Sequence, residues 1–118
     1  MNILIIGSAD KKQMSHSELK ENVYGFGNFI KAVLDIEKKI MAIGGELHSD
    51  EEALLLENGS QQRNLWGINL YPEAQGDDFI EFDSVINLRP TQGNRSRGVD
   101  DALIRQKIKE VVNSLILP

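Results

Sequence analysis

The side chains in this sequence that could do chemistry fall in two places: a histidine among acids, and a stretch rich in arginine and amide groups. The first runs Glu46-Leu47-His48-Ser49-Asp50-Glu51-Glu52. A histidine beside carboxylates can bind a divalent metal or act as a general acid or base. On a strand, Glu46 and His48 would share a face, because they lie two residues apart. That makes His48, with Glu46 behind it, the candidate catalytic pair. A metal would need a third ligand, and the sequence does not show one, so no metal and no cofactor are expected. Asp50, Glu51 and Glu52 have a plainer use as the acidic first turn of a helix.

The second place is Asn87 to Gly98, which carries Arg89, Arg95 and Arg97. A glycine-bearing loop ahead of a helix can present backbone donors to an anion. Arginine forks add bidentate recognition of phosphate or carboxylate. Asn87, Arg89, Gln92, Asn94, Arg95 and Arg97 are therefore the candidate ligand contacts. The same arginines have an internal use. Glu46 to Glu57 holds five carboxylates and no Lys or Arg, so an Arg–carboxylate network is the favoured reading of the loop. The spacing matches no dinucleotide or Walker fingerprint. Trp66, the one tryptophan, could line a pocket, although its ordinary place is the core. Gly67 beside it suggests a bulge or a close backbone approach. Gly7-Ser8 after an apolar run hints at a nucleotide fold, but a lone glycine does not make a phosphate loop. No serine or cysteine stands in the context of an activated nucleophile.

These residues need elements to position them. Asn2 to Ile6 reads as a buried strand. Ser15 and Glu18 have capping-box spacing and open a helix from His16 to Tyr24, stopped by Gly25 and Gly27. Phe29 to Ile36 and Ile40 to Ile43 form a hairpin around Glu37-Lys38-Lys39, with its register left open. Ser49 to Glu52 is a second capping box, for a helix from Asp50 to Glu57; the rival is a strand from Ala53 to Leu56. Leu65 to Tyr71 is a strand ended by Pro72. Phe79 to Leu88 is the clearest strand, with Ile80, Phe82, Ile86 and Leu88 on one buried face. Asp100 or Asp101 opens the last helix, whose inner face is Ile104, Ile108, Val111, Val112 and Leu115. The fold class is α+β: a mainly antiparallel sheet of four or five strands with helices on one face, in the order β-α-β-β-α-β-β-α.

The whole-chain numbers narrow the functions. The 118 residues fit a single domain. There is no cysteine, which excludes disulfides and thiolate zinc sites. The net charge of -5 argues against nucleic acid and against an anionic membrane surface. With no long apolar run and no basic leader, the expected location is cytoplasmic.

A block of residues also carries a resemblance. It comprises Lys31 to Glu37, Gly44 to His48, Asp50 to Glu57, Leu65 to Asn69, Tyr71-Pro72 and Gln92 to Ser96. Together these resemble a family of short prokaryotic proteins known only as a domain of unknown function, over Lys31 to Val112. The resemblance implies no activity. Two functions stay open. One is a small binding or interaction module whose loop, residues 89–97, contacts an anionic ligand or a protein. The other is a small enzyme acting on a phosphorylated or carboxylated metabolite, with His48 as acid or base. The enzyme requires His48 and the arginines around one cleft.

Overall fold

The hairpin at the centre of the sheet shows how local chemistry builds this fold. In the computed structural model, which describes residues 3–21 and 28–118, Asp35 ends one strand and organises the turn. Its carboxylate accepts from the backbone N–H groups of Glu37 and Lys38, each at 2.9 Å, and its carbonyl accepts from Lys39. The aspartate does the work that Asn-Gly does in shorter hairpins. Lys39 takes the left-handed conformation, φ 58°. The strands so joined are β3 (Ile30–Asp35) and β4 (Ile40–Ile43), in the register Asp35 opposite Ile40.

Around this hairpin stand β1 (Leu4–Ile6), β5 (Leu65–Leu70) and β6 (Ile80–Glu81). The sheet order is β1-β4-β3-β5-β6, and every neighbouring pair is antiparallel. The α+β class with a mainly antiparallel sheet is thus as expected. A second ribbon pairs β2 (Met14–Ser15) in parallel with β7 (Ile116–Leu117). The helices are α1 (His16–Glu21), α2 (His48–Glu57) and α3 (Ala102–Leu115). Asn2, and the stretch of the first helix beyond Glu21 with its glycine stop, lie outside the described residues.

Strand parity divides the sheet into two faces. Ile6, Met41, Leu34 and Trp66 point to one side with Ile68 and Leu70, and pack on Leu19 of α1 and on Ile108, Val111, Val112 and Leu115 of α3. Val33, Ala42 and Leu65 point to the other side and pack on Leu55 of α2. Helices therefore cover both faces, not one. Helical periodicity says which side of a helix is apolar; it does not say which sheet face that side meets.

Two local expectations change. Glu18 and Ser15 form the reciprocal cap of α1, but Ser49 caps nothing. Helix α2 starts earlier, with Leu47 at its N-cap and no side-chain cap bond. Glu51 reaches back from the first turn to accept from Gly45 N–H at 3.0 Å. The strand alternative for Ala53 to Leu56 is not realised.

The larger correction concerns Phe79 to Leu88. Only Ile80 and Glu81 pair with β5. The chain then leaves the ladder and makes a 3-10 turn over Val85–Asn87. Ile80 and Phe82 lie against the main core, Ile86 lies on the opposite face, and Leu88 is exposed. The physical reason is visible at Gly67. Its N–H donates to Asn87 Oδ1 at 2.9 Å, and its carbonyl accepts from Asn87 Nδ2 at 3.0 Å. A side-chain amide takes the place of a ladder partner. The approach needs glycine, since a Cβ on Gly67 would stand 2.6 Å from the Ser84 side chain. Close approach, rather than a bulge, explains this glycine. Gly7 is architectural too: its φ is +97°, and a Cβ there would lie 2.7 Å from the Lys39 carbonyl.

Candidate functional site

On the face that carries α2, β3, β5 and β6 contribute one polar residue each at the same level. Lys31 pairs with Asn69, and Asn69 pairs with Glu81. Side chains at directly opposed positions stand on one side of a sheet and touch. The row Lys31–Asn69–Glu81 thus crosses three strands whose remaining residues on this face include Val33 and Leu65, with Ala42 of β4 beside them. It forms the floor of a cleft of about 450 Å³. His48 enters from the start of α2, and Asp83 and Arg97 enter from the loops flanking the 3-10 turn. Phe29, Leu47, Val85 and Ile86 supply the apolar part of the lining.

Hydrogen bonds hold this arrangement. Asn69 Nδ2 donates to Glu81 Oε1 at 2.8 Å and to the Asp83 carbonyl at 3.3 Å. The Tyr71 hydroxyl donates to the same Glu81 oxygen at 3.0 Å. Arg97 Nε donates to Asp83 Oδ1 at 2.7 Å, in an ion pair at the surface. Asn69 is 6% exposed, and its Oδ1 is buried with no partner among the described residues. The Lys31 ammonium has no hydrogen-bond or ion-pair partner there.

His48 pairs through Nε2 with the Ile68 carbonyl at 2.7 Å. A carbonyl only accepts, so Nε2 carries the proton and Nδ1 keeps the lone pair. Burial holds the imidazole below its usual range, against the opposing pull of the Ile68 bond. Lys31 and Arg97 add to the lowering, and Asp83 opposes it. The ring is neutral at pH 7. Glu51, fully buried beside Gly45, is pushed up to about 9 by burial and is also neutral. It is a buried neutral carboxyl, not the solvated negative charge expected at a helix start.

The candidate residues from the sequence scatter. His48 and Arg97 meet in the cleft. Glu46 does not join them: it lies exposed in a bend before α2, so it and His48 share no strand face. Among the described residues no three His, Asp or Glu side chains gather as a metal site. Asn87 is fully buried on Gly67. Asn94, also buried, donates to the carbonyls of Asn87, Ser96 and Gly98 and accepts from Asp100 N–H. Arg89 lies 4.2 Å above the Trp66 ring and donates to the carbonyls of Gln62 and Leu65. Trp66 itself is core, 2% exposed. Gln92 and Arg95 are exposed on the loop.

The expected network between these arginines and the Glu46–Glu57 acids is not what holds the loop. Arg89 uses backbone carbonyls, and Arg97 uses Asp83. The donors expected to face an anion are also taken. Asp100 accepts from Arg95 N–H at 2.8 Å and from the Ser96 hydroxyl, and Asp101 caps α3 through Leu103 N–H. The chain's own carboxylates occupy the anion-binding position. What sequence reasoning missed is the row of Lys31, Asn69 and Glu81 together with Asp83. The available signal was Asn69, an amide inside an apolar strand.

Two other depressions have similar volumes, about 460 and 430 Å³. The first is bounded by surface ions such as Glu37, Lys39 and Lys107. The second holds His16, whose Nε2 contacts the Pro72 carbonyl and whose ring stacks on Phe79. Neither joins a free cation to a buried unpartnered acceptor. Among the described residues no helix is long and apolar enough to cross a membrane. A family model described as a protein of unknown function (DUF5674) matches residues 5–115, which carries the resemblance upstream of Lys31. No curated protein and no solved structure matches the chain.

Proposed function

The chain belongs to the DUF5674 family of proteins of unknown function, and from its own cleft we propose that it binds a small anionic metabolite between α2 and the 82–98 segment. The observation that carries this reading is the Lys31 ammonium, unpaired among the described residues, in one cleft with Arg97. A carboxylate or phosphate entering there meets a free cation and a second one on the rim. The contact is the cleft rather than the tip of the Arg/Asn loop, whose inner members are spent on architecture. A concave site of this size suits a small molecule better than a protein surface. The acidic net charge and the absence of cysteine fit a cytoplasmic protein without nucleic acid as partner.

Thermal shift against carboxylic acids, sugar phosphates and nucleotides tests this. A ligand at 100 times its Kd adds about 2.7 kcal/mol of stability. Lys31→Met should remove the shift while the variant remains folded. If no anionic compound stabilises the parent protein, the reading fails.

A second reading has its own support in the free Nδ1 of a neutral, backbone-anchored imidazole. Here the cleft is an active site and His48 moves a proton to or from the bound metabolite through Nδ1. Glu46 takes no part. His48→Gln would then abolish turnover of a bound compound and leave its affinity within a few fold; a loss of affinity alone would place His48 in binding.

A further inference from the structure

We infer that the ligand of this cleft is zwitterionic, an α-amino acid with an apolar side chain; the inference rests on the proposed binding function and names its substrate class. The cleft is built with both signs of charge. Lys31 and Arg97 face it as cations, and Glu81 and Asp83 as anions, with His48 neutral among them. A simple anion would use the Lys31 end of the cleft and leave its acidic end unmatched. A molecule with a carboxylate at one end of its head, toward Lys31, and an ammonium at the other, toward Glu81 and the Asp83 that Arg97 holds, matches both ends.

The polar row sets the direction. Lys31 and Glu81 stand at its two ends, two strand spacings apart, roughly 10 Å at the backbone. Flexible side chains shorten that span to the reach of a small molecule. At the acidic end the hydrogen bonds of Glu81 fall on Oε1, and that of Asp83 falls on Oδ1. The second oxygen of each carboxylate is left for a donor. Between the ends lies Asn69 Oδ1, an acceptor without a donor in a side chain 94% buried. Its Nδ2 is pinned to Glu81 and the Asp83 carbonyl, which fixes the amide so that oxygen, not nitrogen, is the spare atom. An ammonium supplies three donors, enough for the free oxygens of both carboxylates.

Part of the lining is apolar. Leu47 and Val85, 53% and 61% exposed, line the cleft together with the half-buried Phe29 and Ile86. Large aliphatic side chains so exposed in a polar cleft provide a seat for an apolar body attached to the charged head. Charged floor and apolar lining together describe a hydrophobic amino acid.

Calorimetry on the full chain tests this with leucine, isoleucine, valine, methionine and phenylalanine. Each is compared with its acid lacking the amine and its amine lacking the carboxylate. The expected result is binding of at least one amino acid, weakened at least tenfold by either deletion. Lys31→Met should lose the preference for the amino acid over the amine. Glu81→Gln should lose the preference over the deaminated acid. If the deaminated acid binds as well as the amino acid, the zwitterion is overturned while the anion-binding reading survives. If only phosphorylated compounds bind, the class is wrong and the cleft is still a site. If nothing in either screen binds, both readings fall. Thermal unfolding of each variant separates lost recognition from lost fold.

Discussion

At the scale of single residues, burial decides what each polar group can do. Among the described residues Glu51 has no counter-ion in contact and its Oε1 has no partner, and its carboxyl is raised to about 9. The folded state therefore holds a proton that the unfolded chain releases near pH 4.5. Between those values the native state binds more protons, so stability falls as pH rises. Glu51→Gln keeps the bond from Gly45 and removes the proton. The variant should gain stability over the parent as pH goes from 5 to 8, by on the order of a few kcal/mol. Chemical denaturation at several pH values measures this, and a constant difference would show that Glu51 ionises normally. The two arginines of the loop make a paired case. Arg89, 8% exposed, lies on Trp66 and ties two carbonyls, whereas Arg95 is exposed. Arg89→Ala should cost about 2–4 kcal/mol through lost packing and orphaned carbonyls. Arg95→Ala should stay within about 0.5 kcal/mol. Equal losses at both positions would contradict this division of roles.

At the scale of elements, the informative place is the meeting of β5 with the segment after β6. A strand edge presents backbone groups that must be paired. Past Glu81 they are paired by the Asn87 amide, and Gly67 leaves room for the Ser84 side chain beside it. Gly67→Ala should destabilise by about 1–3 kcal/mol, as overpacking does. Adding Ser84→Gly removes the two atoms nearest the new methyl, leaving Ile86 Cγ1, and should recover part of the loss. A double-mutant cycle reads that coupling; additive effects would mean that the two residues do not press on each other. The same junction explains why alternation in Phe79 to Leu88 misleads. Ile80 and Phe82 keep the period of a strand. Ile86 continues the pattern in the sequence, yet it lands on the other face because the chain turns at Ser84.

At the scale of the whole molecule, the sheet separates a large core from a small one. Among the described residues the face under α2 has four fully buried apolar side chains, and Leu55 is the one that α2 contributes. Leu55→Ala should cost about 2–5 kcal/mol. It should also loosen α2 before it loosens α3, which packs on the main core. His48 rides on α2, so the cleft would lose a wall while the rest of the fold persists. Hydrogen exchange should then show early loss of protection in α2 and retained protection in α3. Simultaneous loss in both helices would mean that the two cores unfold as one unit.

Read on its own, the sequence was enough for the class and for most elements. The hairpin strands, β5, α3 and its inner face, and the α1 cap follow from periodicity and local hydrogen-bond chemistry within a few residues of each other. His48 and Arg97 stood out by residue type. Tertiary structure decided the rest, because it depends on partners far apart in the chain. Lys31, Asn69 and Glu81 become a row only through strand register. Asn87 and Gly67 become a pair across 20 positions. Asn94 and Arg89 look like ligand contacts until burial turns their hydrogen bonds inward. The side of the sheet on which α2 lies, and with it the cleft, is set by which apolar stripes can be covered together. No window of neighbouring residues contains that information.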